Sequence, residues 1–161
     1  MFYEEIFKLL NKKRINYVVV GGVAFVLHGI VRLTADLDLM ISLDRKNVAK
    51  FVGVMKEFGY KPKLPVKPEE LMDRDKREVW LKERNMKVFS YYSPKQPLSL
   101  IDVFIYEPIL FDELKANAVK IKSGNISIPV ASADDLIKLK KISGRRQDME
   151  DIKALKKILG K

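Results

Sequence analysis

Hydrophobic positions follow the helical period in some segments of the chain and form short apolar runs in others. Residues Phe2–Arg14 carry one apolar stripe opposite charged residues, which predicts a helix packed on a sheet. Tyr17–Val20 is a short apolar run rich in β-branched residues that ends at glycine, which predicts a buried strand. Val23–His28 is apolar on all sides and therefore predicts a buried helix.

The rest of the chain continues to alternate between strand and helix patterns. Lys61–Pro68 contains three prolines and predicts an extended connector. The predicted strands are Asp36–Ile41, Lys87–Tyr92, Leu98–Tyr106, Val119–Lys122 and Ile126–Val130. The predicted helices run from Asp44 to about Phe58, over Glu69–Asn85 and Phe111–Ala118, from Ser132 to about Ser143, and over Gln147–Leu159. This order predicts a single α+β domain over residues 1–161, a mixed β-sheet with helices packed on it.

Composition narrows the class of protein. A chain of 161 residues can bury a hydrophobic core of its own. Cysteine is absent, which excludes disulfides, cysteine-ligated zinc and thiol chemistry. No apolar run is long enough to cross a bilayer, and the first residues lack a signal-peptide pattern. We therefore expect a cytoplasmic protein without a membrane partner.

The charge balance points to anionic partners. The chain has 31 basic and 21 acidic residues, a formal net charge of +10. Such an excess favours nucleotides or RNA as partners. A lysine-rich and glutamate-rich surface adapted to heat is the alternative explanation, and composition does not separate the two.

Two aspartates in one predicted strand are the first candidates for chemistry. Asp36 and Asp38 are two residues apart, so their side chains share one face of the strand, roughly 7 Å apart. Adjacent carboxylates on an apolar strand repel each other unless a cation or a donor lies between them. Oxygen ligands of this kind suit Mg²⁺, which proteins bind through one or two carboxylates together with substrate phosphates. Upstream, Gly21 and Gly22 would let backbone N–H groups approach a phosphate.

The string GGVAFVLHGIVRLTADLDL, residues 21–39, resembles the signature of the nucleotidyltransferase fold, the DNA polymerase β-like superfamily. It is similar to the small nucleotidyltransferase-like proteins that include type IV toxin–antitoxin toxins. The resemblance covers residues 17–41 and extends more weakly to Ser99–Tyr106 and Ala131–Leu155. It implies a nucleotidyltransferase fold and the transfer of a nucleoside monophosphate from a nucleoside triphosphate to a hydroxyl of RNA, protein or a small molecule.

The resemblance also implies a set of metal ligands. A third carboxylate is expected on a later strand, and Asp102 matches it as the one acid inside the apolar run LSLIDVFIY. Asp36, Asp38 and Asp102 would then hold two Mg²⁺ ions, with Mn²⁺ as an alternative, and Asp102 could act as the base. An edge strand with a solvated face is the alternative for Asp102.

One departure from the family pattern leaves a second hypothesis open. Many active members have Gly-Ser in the loop, whereas this chain has Gly22 followed by Val23. Backbone donors would have to replace the serine hydroxyl. The alternative function is therefore a non-catalytic nucleotide-binding or regulatory partner, of the toxin–antitoxin kind, that keeps the fold.

Four further residues are candidates for binding the nucleotide. Arg32 and Thr34 lie in the connector before the Asp36–Ile41 strand, where a guanidinium could contact a phosphate. Lys140 and Asp148 match a lysine and an aspartate that are thought to help bind nucleotide in the toxin-like members. An exposed loop arginine is the alternative for Arg32, and a purely structural ion pair between helices is the alternative for Lys140 and Asp148.

Overall fold

The computed structural model describes residues 3–160, apart from the side chains of residues 146 and 147. The helices are α1 Glu4–Lys12, α2 Gly21–Leu27, α3 Arg45–Glu57, α4 Arg74–Arg84, α5 Phe111–Asn117, α6 Ala133–Ser143 and α7 Arg146–Ile158, with a short 3₁₀ helix at Pro68–Met72. The strands are β1 Tyr17–Val20, β2 Leu37–Ile41, β3 Lys61–Pro62, β4 Val88–Ser93, β5 Gln96–Phe104, β6 Val119–Ser123 and β7 Ile126–Val130. The predicted start of the first helix at Phe2 lies outside the described residues.

The strands form one seven-stranded sheet in the order β3-β4-β5-β2-β1-β7-β6. β2 runs parallel to β5 and β1 runs parallel to β7, while the other neighbours are antiparallel. The sheet is therefore mixed and carries helices, which confirms the predicted α+β class. In the middle of the sheet every residue of β1 is buried, as its unbroken apolar run predicts.

The predicted helix at Glu69–Asn85 is wrong in its first part. Residues Pro68–Met72 form the 3₁₀ helix, and α4 begins only at Arg74. Asp73 separates the two because its side chain accepts hydrogen bonds from the backbone N–H groups of Asp75 and Lys76, an N-cap arrangement. A sequence pattern of apolar spacing does not reveal such an internal cap.

Other boundaries also differ from the prediction, and two of these differences matter for the site. β2 begins at Leu37, so Asp36 precedes the strand, and α2 begins at Gly21 rather than Val23. In the proline-containing connector, Lys61–Pro62 pairs with β4 at the edge of the sheet. An edge position suits proline because its missing N–H then costs no ladder hydrogen bond. Within residues 3–160, no helix is both long and apolar enough to cross a membrane.

Candidate active site

Asp38 and Asp102 lie side by side in the centre of the sheet. They are direct register partners on the parallel strands β2 and β5. Asp38 also pairs with Val20 on β1, and Asp102 pairs with Ser90 on β4. The row Val20, Asp38, Asp102, Ser90 thus crosses four strands, and its two central members are acids surrounded by a buried apolar core.

Burial makes both carboxylates harder to ionise. The pKa of Asp38 is raised to about 7, chiefly by burial and further by the nearby charges of Asp102 and Asp36, while Lys140 and Arg32 oppose the rise. Burial also raises the pKa of Asp102, and a hydrogen bond from Ser90 opposes it. Among the described residues, Asp102 Oδ1 is buried without a hydrogen-bond partner. A carboxylate pair of this kind calls for a cation.

Asp36 occupies a different environment from the other two acids. Its Oδ1 accepts a hydrogen bond from the backbone N–H of Leu100 at 3.0 Å, which links the start of β2 to β5. Asp36 is near enough to raise the pKa of both Asp38 and Asp102. Across residues 3–160, no three acidic or histidine side chains form a preformed metal cluster. The donor set that the structure brings together is therefore the Asp38–Asp102 pair, with Asp36 beside it.

This donor set fits a hard divalent cation. Both groups are carboxylates, and one oxygen of Asp102 is buried and unpartnered. Mg²⁺ is commonly held by one or two carboxylates, and substrate phosphates complete its shell. Asp38 and Asp102 could thus hold one such ion, while the three-carboxylate, two-ion site stays a prediction.

Gly21 and Gly22 are required by close packing at this site. Gly21 has a φ of +69°, and a Cβ there would overlap Asp38 Oδ2. A Cβ at Gly22 would lie 2.6 Å from Thr34 Oγ1. The Thr34 hydroxyl donates to the Asp36 carbonyl at 3.2 Å. The glycine pair thus lets the start of α2 lie directly against Asp38 and against the loop that leads into β2.

Arg32 and Lys140 lie next to each other on one side of the carboxylates. The Arg32 guanidinium carbon is 5.2 Å from the centre of the Phe25 ring, and Lys140 Nζ is 5.1 Å from it. Both cations lower the pKa of Asp38, so their charges reach the carboxylate pair. The structure therefore brings together two residues that are more than a hundred positions apart in the chain.

Acidic residues of α7 hold these cations. Lys140 Nζ contacts Asp148 Oδ1 at 3.1 Å and Asp151 Oδ2 at 2.9 Å. Asp148 is only 1% exposed and also accepts the backbone N–H of Arg145 at 3.0 Å. Burial would raise the pKa of Asp148, but hydrogen bonds from Ser143, Lys140 and Arg145 lower it well below the usual range. The ion pair that the sequence left as an alternative is thus present, and the buried Asp148 is placed to orient Lys140.

Asp151 is a site residue that the sequence analysis did not select. Its Oδ1 lies 2.8 Å from an Arg32 nitrogen, in addition to its contact with Lys140. One sequence feature could have identified it: Asp151 lies three residues after Asp148, which puts both carboxylates on one face of a helix. The partner Arg32 could not be inferred from that spacing because it lies on a distant loop.

These residues surround an open cleft of about 570 Å³. Gly21, Gly22, Asp38 and Asp102 line it together with Arg32 and Lys140. Its other lining residues are mainly apolar or basic: Val20, Lys87, Val88, Phe104, Tyr106, Pro108, Leu136, Leu139, Ile142, Ser143 and Arg145. One cleft thus combines a carboxylate pair, two partly buried cations and an apolar wall, which is the make-up of a small-molecule site.

The family model of aminoglycoside-2''-adenylyltransferases matches residues 3–155, almost the whole chain. The chain belongs to this family. Membership confirms the nucleotidyltransferase superfamily predicted from the glycine pair and the acids, and it identifies the chain as a nucleotidyltransferase enzyme. A comparison with curated proteins gives no match. The similarity to toxin–antitoxin toxins stays a prediction.

Solved structures support the fold. The chain is similar to ANT(2'')-Ia in complex with adenylyl-2''-tobramycin, with a TM-score of 0.64 and 10% identity over 98% of this chain and 87% of that one. It is similar to the lincosamide antibiotic adenylyltransferase LnuA, lincomycin-bound, with a TM-score of 0.61 and 18% identity over 96% and 94% of the two chains. An antigenic nucleotidyltransferase-like protein from Paracoccidioides brasiliensis gives a TM-score of 0.58 and 17% identity over 93% and 71%. At these identities the similarity establishes the nucleotidyltransferase fold.

Proposed function

We propose that this enzyme transfers a nucleoside monophosphate, with ATP as the donor, to a hydroxyl group of a small molecule in a metal-dependent reaction. The observation that carries the proposal is the Asp38–Asp102 pair, which lies in a cleft that Arg32 and Lys140 also line. A triphosphate needs both features, because its oxygens bind cations and its metal ion needs carboxylates. Mg²⁺, when bound to Asp38 and Asp102, would neutralise the charge of the triphosphate and favour an ionised acceptor hydroxyl.

The residues of the chain can be given roles in this reaction. Arg32 and Lys140, which line the same cleft, would bind phosphate oxygens. Gly21 and Gly22 line the cleft, and because they have no side chains they let the start of α2 lie against Asp38 and Thr34. The acceptor oxygen forms a bond to the α-phosphorus, the bond to the β-phosphate oxygen breaks, and pyrophosphate leaves. Asp102 would take the proton of the acceptor hydroxyl, since its unpartnered Oδ1 and raised pKa suit a base.

A small-molecule acceptor is supported by the size of the cleft. Its volume of about 570 Å³ lies within the range of roughly 300–1,000 Å³ that is usual for small-ligand sites. Two proteins of the same fold were solved with lincomycin and with adenylyl-2''-tobramycin. The RNA or protein acceptor that the resemblance also allowed has no such support. We therefore propose a hydroxyl-bearing compound of antibiotic size.

The test is transfer of label from ATP that is labelled at the α-phosphate. The protein is incubated with this ATP, Mg²⁺ and a panel of aminoglycosides, lincosamides and simple polyols, and labelled products and pyrophosphate are measured. We expect a labelled adduct and an equal amount of pyrophosphate. Asp38→Asn and Asp102→Asn should each abolish both while leaving the fold intact. ATP binding without pyrophosphate release would instead favour the non-catalytic function.

A further inference from the structure

We propose that Asp151 is a positioning residue that holds both phosphate-binding cations, Arg32 and Lys140, at the cleft. This inference rests on the proposed function, because it assigns a role toward the triphosphate. Asp151 Oδ1 lies 2.8 Å from an Arg32 nitrogen, and its Oδ2 lies 2.9 Å from Lys140 Nζ. Among the ion pairs of residues 3–160, no other carboxylate contacts both cations.

One carboxylate thereby joins three separate parts of the fold. Arg32 lies in the loop between α2 and β2, Lys140 lies on α6, and Asp151 lies on α7. The Arg32 loop has no helix or strand to fix it, so its guanidinium depends on side-chain contacts. Among the described residues, the guanidinium pairs with Asp151 and lies over the face of the Phe25 ring. Lys140 shares that ring.

The side chains of this arrangement are only slightly exposed, so their charges interact strongly. The side chains of Lys140 and Asp151 are 12% and 14% exposed, and that of Arg32 is 24% exposed. Two cations on one aromatic ring repel each other, and in a partly dry site a carboxylate between them offsets the repulsion. Removing this carboxylate would leave the two cations without the group that separates and orients them.

Asp148 does not duplicate this role. It contacts Lys140 and Arg145 but not Arg32, and its Oδ2 accepts the backbone N–H at the start of α7. Its contacts therefore fasten α7 to α6. Asp151 alone, among the described acids, extends the connection to the loop that carries Arg32.

A second role for Asp151 predicts the opposite effect of its removal. If the carboxylate only neutralised the cations, its loss would leave more positive charge and ATP would bind more tightly. If it positions them, its loss would misplace both cations and ATP would bind more weakly, although the net positive charge rises. The sign of the change in ATP affinity therefore separates the two roles.

The experiment measures the binding of ATP with Mg²⁺ by calorimetry, which needs no knowledge of the acceptor. We expect affinity to fall in the order wild type, Asp151→Glu, Asp151→Asn, with the asparagine variant about tenfold weaker than the wild type. Glutamate keeps the charge but shifts it by one methylene group, so the glutamate variant should bind ATP better than the asparagine variant.

Glu150→Gln is the matched control. Glu150 precedes Asp151 in α7, is exposed and pairs only with Lys153, at 3.5 Å, among the described residues.

Equal or tighter binding of ATP to Asp151→Asn would overturn the proposal. Melting temperatures are measured in parallel, and if the asparagine variant does not fold, Asp151→Glu decides the matter. Weaker binding by the folded glutamate variant supports positioning, whereas wild-type binding overturns it. A wild-type protein that binds ATP but transfers nothing would contradict the proposed reaction and leave this test of Asp151 valid.

Discussion

Asp38 and Asp102 are register partners on two parallel strands, so their carboxylates meet in the middle of a mixed sheet. In a central sheet position both faces of a strand are usually apolar. Burial raises the pKa of both acids, so their charged forms oppose folding. The same two carboxylates would suit a divalent cation, which would offset this cost when bound.

The first prediction concerns stability as a function of pH. The pKa of Asp38 is raised from its ordinary 3.8 to about 7 in the folded protein, so the folded state binds its proton more tightly than the unfolded state. Without metal, this group stabilises the fold fully below pH 4, and the contribution is lost as pH rises toward 7. The free energy of unfolding should fall by about 1.4 kcal/mol for each unit of raised pKa.

Thermal melts between pH 5 and pH 8 with EDTA check this expectation. The range lies above the lowered pKa values of Asp148 and Asp151, so these groups do not contribute. Asp38→Asn should remove the part of the pH dependence that Asp38 causes, whereas Asp102, whose pKa is also raised, should still contribute. Mg²⁺ should raise the melting temperature more at pH 8 than at pH 5. A wild-type profile that stays flat and does not respond to Mg²⁺ would contradict the carboxylate-pair interpretation.

The sequence selected Asp36 and Asp38 by their spacing in one predicted strand, and the resemblance added Asp102 as the acid inside an apolar run. The sequence also predicted Lys140 and Asp148 from the resemblance. It could not show that Asp36 precedes β2 and accepts the Leu100 N–H, because that depends on where the ladder between β2 and β5 begins. Asp151 was missed for a similar reason, since its contact with Arg32 exists only after α7 packs beside the loop.

The second prediction tests the need for glycine at the start of α2. Gly21→Ala should destabilise the protein and abolish transfer, because the new Cβ would overlap Asp38 Oδ2 at a positive φ. Gly22→Ala should also reduce activity, since its Cβ would press on Thr34 Oγ1. Gly53→Ala is the control: Gly53 lies in α3 with no atom within 4 Å of an added Cβ.

Chemical denaturation and ATP titration of the three variants provide the comparison. Gly53→Ala should be neutral or more stable by about 0.5–1 kcal/mol, because alanine is the better helix former. Wild-type ATP binding by Gly21→Ala would show that the close approach to Asp38 is not needed for the site.

The third prediction separates binding from stability at Lys140. Lys140→Met keeps the length and the apolar stem of the side chain but removes the charge that Asp148 and Asp151 share. Because two carboxylates lose a partner, we expect the free energy of unfolding to fall by about 1–3 kcal/mol. ATP binding should weaken as well, since the ammonium lines the cleft.

Lys141→Met is the matched control for this experiment, as it lies next to Lys140 on α6 and is exposed. Its melting temperature and ATP affinity should both match the wild type. Should Lys140→Met lose stability and yet bind ATP normally, Lys140 would have only the structural role that the sequence left open.

The last prediction concerns the charge of the acceptor. The chain carries a net charge of +10, and the cleft has Arg32, Lys87, Lys140 and Arg145 in its lining against Asp38 and Asp102. Aminoglycosides carry several ammonium groups, which the net positive charge of the chain repels, so we expect acceptors with few positive charges to react better.

An aminoglycoside and its fully N-acetylated form test this expectation, because they offer the same sugar hydroxyls with and without those charges. At low ionic strength the acetylated compound should have the lower KM, and the difference should shrink as salt is raised, because salt screens exposed charges. If the cationic compound has the lower KM at every salt concentration, the carboxylates of the cleft control the choice of acceptor, and the net positive charge of the chain does not.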